Sequence, residues 1–222
     1  MDYSTPAGDD YHRVRHQDIL SDPRLMRAWG QYAIVTYFSE VKPLETVLEI
    51  GAGTGINIAE LSKIRSVEAI EPSQFARSHC AAFGVKVYSD WSELVPSQKY
   101  DWILLRHVLE HVPEPKIFLE NILGLLKARG RLIVVVPCED AFSEIREDDI
   151  NHHLHCWNRQ TLSNLLKQSG FDVVSDRVNW YNGRRLSYPI LQIFGPEAYR
   201  RALTAIGRMT RSAEIIVTAT KR

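Results

Sequence analysis

The chain has little of what would set it apart from ordinary globular proteins. Nowhere in its 222 residues does an apolar run approach the ~20 positions needed to cross a bilayer, so no membrane anchor is expected. Residues 1–6 lack the basic segment and apolar stretch of a secretory leader. Cysteine is scarce: Cys80, Cys138 and Cys156 are odd in number and form no CxxC pair, which excludes a disulfide scaffold or zinc ribbon and suits a reducing, cytoplasmic setting. An excess of either charge is absent too. With 27 basic and 27 acidic residues and a net charge of +0, nothing supplies the broad positive field of a nucleic-acid protein, so a small molecule is the better expected partner. The 45% hydrophobic and 24% charged content suffices for a core, and only the ends, residues 1–10 first among them, are expected to be mobile.

What is present is organised around the run Val47-Leu48-Glu49-Ile50, which breaks into Gly51-Ala52-Gly53-Thr54-Gly55. It reads as a strand, a tight loop and the start of a helix over 55–63. Glycine tolerates positive φ and has no Cβ, so such a backbone can turn sharply and lie against a ligand. An acidic residue roughly 20 positions later, Glu71, suits the paired hydroxyls of a ribose. Position 56 is Ile, where a GxGxxG dinucleotide loop would carry its third glycine, which argues against a dehydrogenase.

Before the loop, Asp22-Pro23 opens an amphipathic helix running to about Ser39, expected to cover one edge of the sheet, with a lid over the cofactor as the alternative. After it, short apolar runs alternate with helical patterns: strands over 66–71, 85–88, 100–105 and 131–136, and helices through Phe75 and Cys80, over 115–127 and over 160–169. This order implies a parallel sheet with both faces covered. Two further strands are expected over 171–174 and 213–219. Ligands bind such sheets beyond the carboxyl ends of the strands, which selects residues 51–55, Glu71, 89–91, Arg106 with His107, and 137–140.

Those segments together resemble the class I S-adenosylmethionine-dependent methyltransferases, in the branch with a Leu-Glu-His-Val signature after strand four, here Leu109-Glu110-His111-Val112. The resemblance covers roughly residues 45–175. It implies an α/β, Rossmann-like fold: a seven-stranded, mostly parallel sheet with helices on both faces, an N-terminal helix and an insertion before the last strand. One domain is expected: 1–10 flexible, 11–42 a helical cover, 43–178 the cofactor-binding core, 179–212 a substrate-side insertion and 213–222 the last strand. The resemblance further implies S-adenosylmethionine as cofactor. Gly51, Ala52, Gly53 and Gly55 would pass beneath its methionine part, Glu49 would reach the ammonium group through water, and Glu71 with Pro72 would hold the ribose. Arg106 also belongs to the expected cofactor set. Asp90 and Trp91 would flank the adenine, although Asp90 equally suits a helix N-cap before Trp91-Ser92-Glu93.

Methyl transfer to a hydroxyl requires alignment and removal of a proton. His107 at the end of strand four is the candidate base, and His153 in the segment Asn151-His152-His153-Leu154-His155-Cys156-Trp157 joins it; the alternative for His107 is a polar residue satisfied by backbone. Some relatives hold a divalent cation with Glu-x-x-Glu-His and a later His. Here His107 replaces the first Glu, while Glu110, His111 and His153 match. The expectation is histidines at a substrate pocket without a metal, with Glu110, His111 and His153 as the ligands if a cation binds. Trp180, Tyr181, Arg184, Arg185, Tyr188, Phe194 and Tyr199 populate the insertion, which reads as a substrate wall, or alternatively as a dimer contact. The expected activity is methylation of a small molecule at oxygen, by a monomer or homodimer. N- or C-methylation, metal-assisted O-methylation and non-catalytic cofactor binding stand as alternatives.

Overall fold

The computed structural model describes residues 3–95, 97–139, 147 and 149–222. Its centre is a seven-stranded sheet with strand order β3-β2-β1-β4-β5-β7-β6. The strands are β1 (Thr46–Ile50), β2 (Ser66–Ile70), β3 (Lys86–Tyr88), β4 (Tyr100–Arg106), β5 (Leu126–Pro137), β6 (Phe171–Trp180) and β7 (Ala213–Lys221). All pairings are parallel except those of β7, which runs antiparallel to both β5 and β6. The central strands are apolar almost throughout because both faces are covered. Alternation along β4 sends Leu104 to one layer, with Trp29, Tyr32, Ile133 and Tyr199, and Ile103 and Leu105 to the other, with Leu119, Leu162 and Val134. The first layer is closed by α2 (Pro23–Thr36) and α6 (Tyr188–Thr210), the second by α4 (Pro115–Leu123) and α5 (Arg159–Gln168).

The strand order reverses between β1 and β4. Ile50 lies opposite Leu105 in the register, so the glycine loop and the Arg106-His107 corner leave the sheet side by side. That is the switch point at which open α/β sheets bind ligands. Helix α3 (Gln74–Ala81) follows β2, with the Ser73 hydroxyl accepting from the Ala76 amide as N-cap. Asp22 caps α2 through the Arg24 amide at 3.0 Å, with Pro23 in the first turn, as the Asp-Pro pair implies.

Three local expectations fail. Residues 6–10, expected to be mobile, begin a helix, α1 (Pro6–Leu20), and Asp9 accepts from the Ser73 hydroxyl at 2.5 Å and the Phe75 amide at 3.0 Å. The helix expected over 55–63 is a series of hydrogen-bonded turns ending in a single 3-10 turn, Leu61–Lys63. Gly55 has φ 78°, outside the right-handed helical region, so the chain does not settle into helical repeats there. The helix after Pro115 stops at Leu123, next to Gly124, and β5 begins at Leu126 rather than Arg131. Of residues 137–140, Asp140 lies outside the described residues. No helix among the described residues is long and apolar enough to cross a membrane. Helix α6 fills the insertion and kinks at Gly195, φ 80°, ahead of Pro196.

Leu104 is fully buried at the middle of the sheet. Replacing it by Ala is expected to lower the unfolding free energy by about 3 kcal/mol in urea denaturation, and a loss below ~1 kcal/mol would mean this layer is not a packed core.

Candidate functional site

The loop after β1 is a left-handed backbone by construction: Gly51, Gly53 and Gly55 have φ of 70°, 53° and 78°. The amides of Gly51 and Ala52 both donate to the carbonyl of Ile70, which pins the loop to the end of β2. A Cβ on Gly51 would collide with Val108, and one on Gly55 would lie 2.8 Å from Cys80 Sγ. No larger residue fits at either position.

Two buried carboxylates flank this loop. Glu49 on β1 accepts from Asn57 Nδ2 at 2.6 Å through Oε1, and Asn57 Oδ1 in turn accepts from Trp29 Nε1 at 2.8 Å. Its Oε2 is buried without a partner. Burial disfavours the charged form and pushes this carboxyl up to about 8. Glu71, at the end of β2, accepts from the Gly53 amide at 2.6 Å and from the Ser73 amide at 2.8 Å, and is almost fully buried. Oε2 therefore faces the glycine loop, and Oε1 the start of α3 and His12. Pro72 follows, its carbonyl accepting from Arg77 Nη1 at 2.7 Å.

What buries Glu71 is α1, a contribution the sequence reading missed. His12 Nε2 stands 3.6 Å from Glu71 Oε1, and His16 Nδ1 is 3.0 Å from the Thr54 hydroxyl. Their rings lie against each other at 5.3 Å and above Gly53. The signal was present: His12 and His16 share a helix face four residues apart, after a Thr5-Pro6 start. It was obscured because α1 has no regular apolar stripe.

Asp90 and Trp91 lie beyond β3. Asp90 is exposed, and its Oδ1 caps the following 3-10 turn through the Ser92 amide at 2.8 Å, which is the N-cap alternative. Trp91 packs on Phe118 with centroids 5.0 Å apart. Arg106, expected in the cofactor set, is engaged by other side chains of the protein. Its guanidinium is committed to Glu214 at 3.1 Å and bonds to the phenol oxygens of Tyr37 and Tyr181 at 3.0 and 3.2 Å. It also lies over the Trp29 ring at 5.0 Å.

The second half of the site follows β4. His107 takes a left-handed backbone, φ 55°, and points Nε2 at Glu214 (3.2 Å) and Nδ1 at Glu110 (3.7 Å). Burial and the nearby Arg106 push this imidazole down to about 4. The carbonyl of Glu110 accepts from the amides of Leu154 and His155, at 2.8 and 3.2 Å, so the histidine-rich segment docks directly on it. That docking sets the His153 ring 4.9 Å from the His111 ring, and one ligand atom each from Glu110, His111 and His153 fall within 4.8 Å of one another. Both carboxylate oxygens of Glu110 are buried without a hydrogen-bond partner, and burial pushes the carboxyl up to about 8. His153 Nδ1 is 2.5 Å from Glu139, and Tyr3 reaches His111 Nδ1 at 3.3 Å. His155 bonds instead to the Val112 carbonyl, and Cys80 is a buried thiol beneath Gly55.

A family model described as "Methyltransferase domain" matches residues 21–176. The protein-L-isoaspartate O-methyltransferase 1 of Cupriavidus necator is 30% identical over 139 residues, covering 57% of this chain and 48% of its own. The ubiquinone biosynthesis O-methyltransferase of Bradyrhizobium diazoefficiens is 32% identical over 101 residues, covering 40% and 38%. The chain thus spans about half or less of the length of these two relatives. The 1,6-didemethyltoxoflavin-N1-methyltransferase of Burkholderia thailandensis, solved with S-adenosylhomocysteine, superposes with a TM-score of 0.61 at 20% identity over 95% of this chain and 83% of that one, a likeness of fold alone.

Glu49 yields a pH test. Its folded carboxyl titrates at about 8, above the ordinary value of 4.5, so between those values the folded state binds the extra proton and stability falls as pH rises. Glu49→Gln removes this dependence. Between pH 5.5 and 7.5 the variant is expected to gain on the order of 2 kcal/mol relative to wild type in urea titrations of the ligand-free protein; parallel pH curves would overturn the assignment.

Proposed function

The chain belongs to the class I S-adenosylmethionine-dependent methyltransferases, and from that premise we propose that it methylates a hydroxyl oxygen of a small-molecule acceptor. The observation that carries this reading is the buried Glu110 carboxyl, without a hydrogen-bond donor and gathered with His107, His111 and His153 at the strand ends that also hold the glycine loop.

On the donor side, the residues present fit the cofactor. The backbone of Gly51, Ala52 and Gly53 offers a close surface for its methionine part, with Gly55 closing the turn. The unpartnered oxygen of Glu49 suits the ammonium group, which would favour its ionised form. Glu71 has two acceptor oxygens for the ribose hydroxyls, with Pro72 setting its turn. Trp91 supplies an aromatic wall, and the oxygen of Asp90 not used as a cap suits the adenine amino group. When bound, S-adenosylmethionine would supply an electrophilic methyl, with its sulfur as the leaving group.

On the acceptor side the protein must dispose of the hydroxyl proton. In this reading His107 and His153 would receive it. A metal-assisted form of the same reaction has specific support. Glu110, His111 and His153 form an O,N,N donor set suited to a transition metal or zinc, and an orphaned buried carboxylate is costly unless something pairs with it. A divalent cation there would supply Lewis acidity that lowers the pKa of an acceptor hydroxyl. This favours oxygen over nitrogen or carbon as the methylated atom, and a non-catalytic binder would have no use for the cluster. The balanced charge fits a small acceptor better than nucleic acid, and the exposed, unbridged Cys138 thiol fits a cytoplasmic setting.

The test separates the two halves. Calorimetry with S-adenosylhomocysteine is expected to show binding that weakens ~10-fold or more in Glu71→Ala, as loss of charge-assisted hydrogen bonds requires; unchanged affinity would remove Glu71 from the ribose role. After dialysis against Zn²⁺ and gel filtration, wild type is expected to retain the ion and Glu110→Gln to lose it with S-adenosylhomocysteine affinity intact. A wild type that retains none would sink the metal-assisted form.

A further inference from the structure

Trp29 links the donor side to a cluster of cations that the roles above do not use. One edge of its indole is tied through Asn57 to Glu49, at the methionine end of the loop. Its ring carries two guanidiniums: Arg106 at 5.0 Å and Arg184, from the segment between β6 and α6, at 4.9 Å. A third, Arg15 on α1, bonds to the Tyr11 phenol. All three act on the same two rings, His16 above the loop and Tyr181, so they surround one region rather than three.

The charges of this region do not balance. Arg106 has Glu214 as an ion-pair partner at 3.1 Å. Among the described residues neither Arg184 nor Arg15 forms an ion pair. Asp18 is the acid that acts on Arg184, but it pairs with Arg185 at 3.8 Å and both of those are exposed. Arg184 is half-buried against the indole, and burial works against its charge. A desolvated cation without an anion is unfavourable. The guanidinium fork matches a carboxylate in bidentate geometry, and an aromatic face behind it restricts its rotation without neutralising it.

We propose that Arg184, supported by Arg15 and seated on Trp29, forms a subsite for a ligand carboxylate next to the methionine end of the cofactor loop. It rests on the cofactor reading given above. Two ligands carry such a group: the amino-acid end of the cofactor, or an acidic acceptor lying against it.

Calorimetry on the full chain with two probes distinguishes them. S-adenosylhomocysteine has the amino-acid end; 5′-methylthioadenosine lacks it. In Arg184→Gln, a fall of ~10- to 100-fold for S-adenosylhomocysteine with methylthioadenosine unchanged assigns the carboxylate to the cofactor, the size expected for a charge-assisted pair. If both nucleosides bind the variant as they bind wild type, the subsite serves the acceptor, and malonate is expected to raise the melting temperature of S-adenosylhomocysteine-loaded wild type but not of Arg184→Gln. In either arm Arg184→Lys is expected to recover part of the effect, which separates lost charge from misfolding. The proposal is overturned if the variant matches wild type with all three probes, or if it weakens both nucleosides equally, since Arg184 would then only pack on Trp29. A wild type that binds neither nucleoside is a different failure, that of the cofactor reading itself.

Discussion

The buried ion pair between Arg106 and Glu214 is the interaction on which the arrangement of the site depends. Glu214 is fully enclosed, and burial opposes its charge, yet Arg106, His107 and the Tyr37 hydroxyl outweigh that and hold the carboxyl at about 2. Every acceptor position is used: Oε2 takes Arg106 and faces His107 Nε2, while Oε1 takes Tyr37 at 2.5 Å and Asn179 at 2.8 Å. Four elements, α2, β4, β6 and β7, are therefore tied at one point beside the switch in strand order. A buried charge that lost one partner would remain uncompensated, so the knot resists partial opening. It also fixes His107, whose left-handed backbone turns the chain from β4 towards Glu110. Strain of that kind persists only where surrounding contacts over-determine it.

Helix α1 completes the opposite side. It carries few core residues, Gly8, His12 and Ile19, and is held instead by polar contacts to the elements that form the cofactor side. Asp9 binds the start of α3, His12 faces Glu71, and His16 meets Thr54. Just ahead of it Tyr3 touches His111, so the N-terminal segment reaches both the glycine loop and the histidine cluster. A helix held by a handful of hydrogen bonds over a binding loop belongs to the less stable parts of a fold, the parts from which lids are drawn.

The legible parts of this molecule were those written in local patterns. The alternating glycines required positive φ, and all three have it. The apolar runs of β1, β4 and β5 could only be strands buried on both faces. The unread parts depend on pairings between distant residues. Nothing near Arg106 in sequence announces that Glu214, 108 positions away, will pair with it. Asp90 was ambiguous because one carboxylate can cap a turn and serve a ligand, and only its exposed second oxygen leaves room for the latter. Residues 6–10 are small and polar, and helix formation there depends on partners at Ser73 and Phe75 that no local window contains. Glu110, His111 and His153 lay within reach of a family pattern, but their closeness follows from two backbone hydrogen bonds onto the Glu110 carbonyl.

The electrostatics of the two halves are complementary in a way that bears on how they work together. Two carboxyls, Glu49 and Glu110, are buried, and burial pushes both to about 8, each with at least one buried oxygen lacking a donor. In the proposed roles each would take a positive charge, an ammonium group in one case and a metal ion in the metal-assisted form of the other, because a cation nearby would restore the ionised form and satisfy the orphaned oxygen. Arg184 is the converse, a desolvated cation in want of an anion. The knot of Arg106 and Glu214, by contrast, is internally neutral and already saturated. Its strength lies in holding these unsatisfied groups at fixed positions without competing for their ligands. Ligand charge would then be matched by groups whose desolvation is imposed by folding rather than at the moment of binding, which is how preorganised sites avoid reorganisation during the reaction.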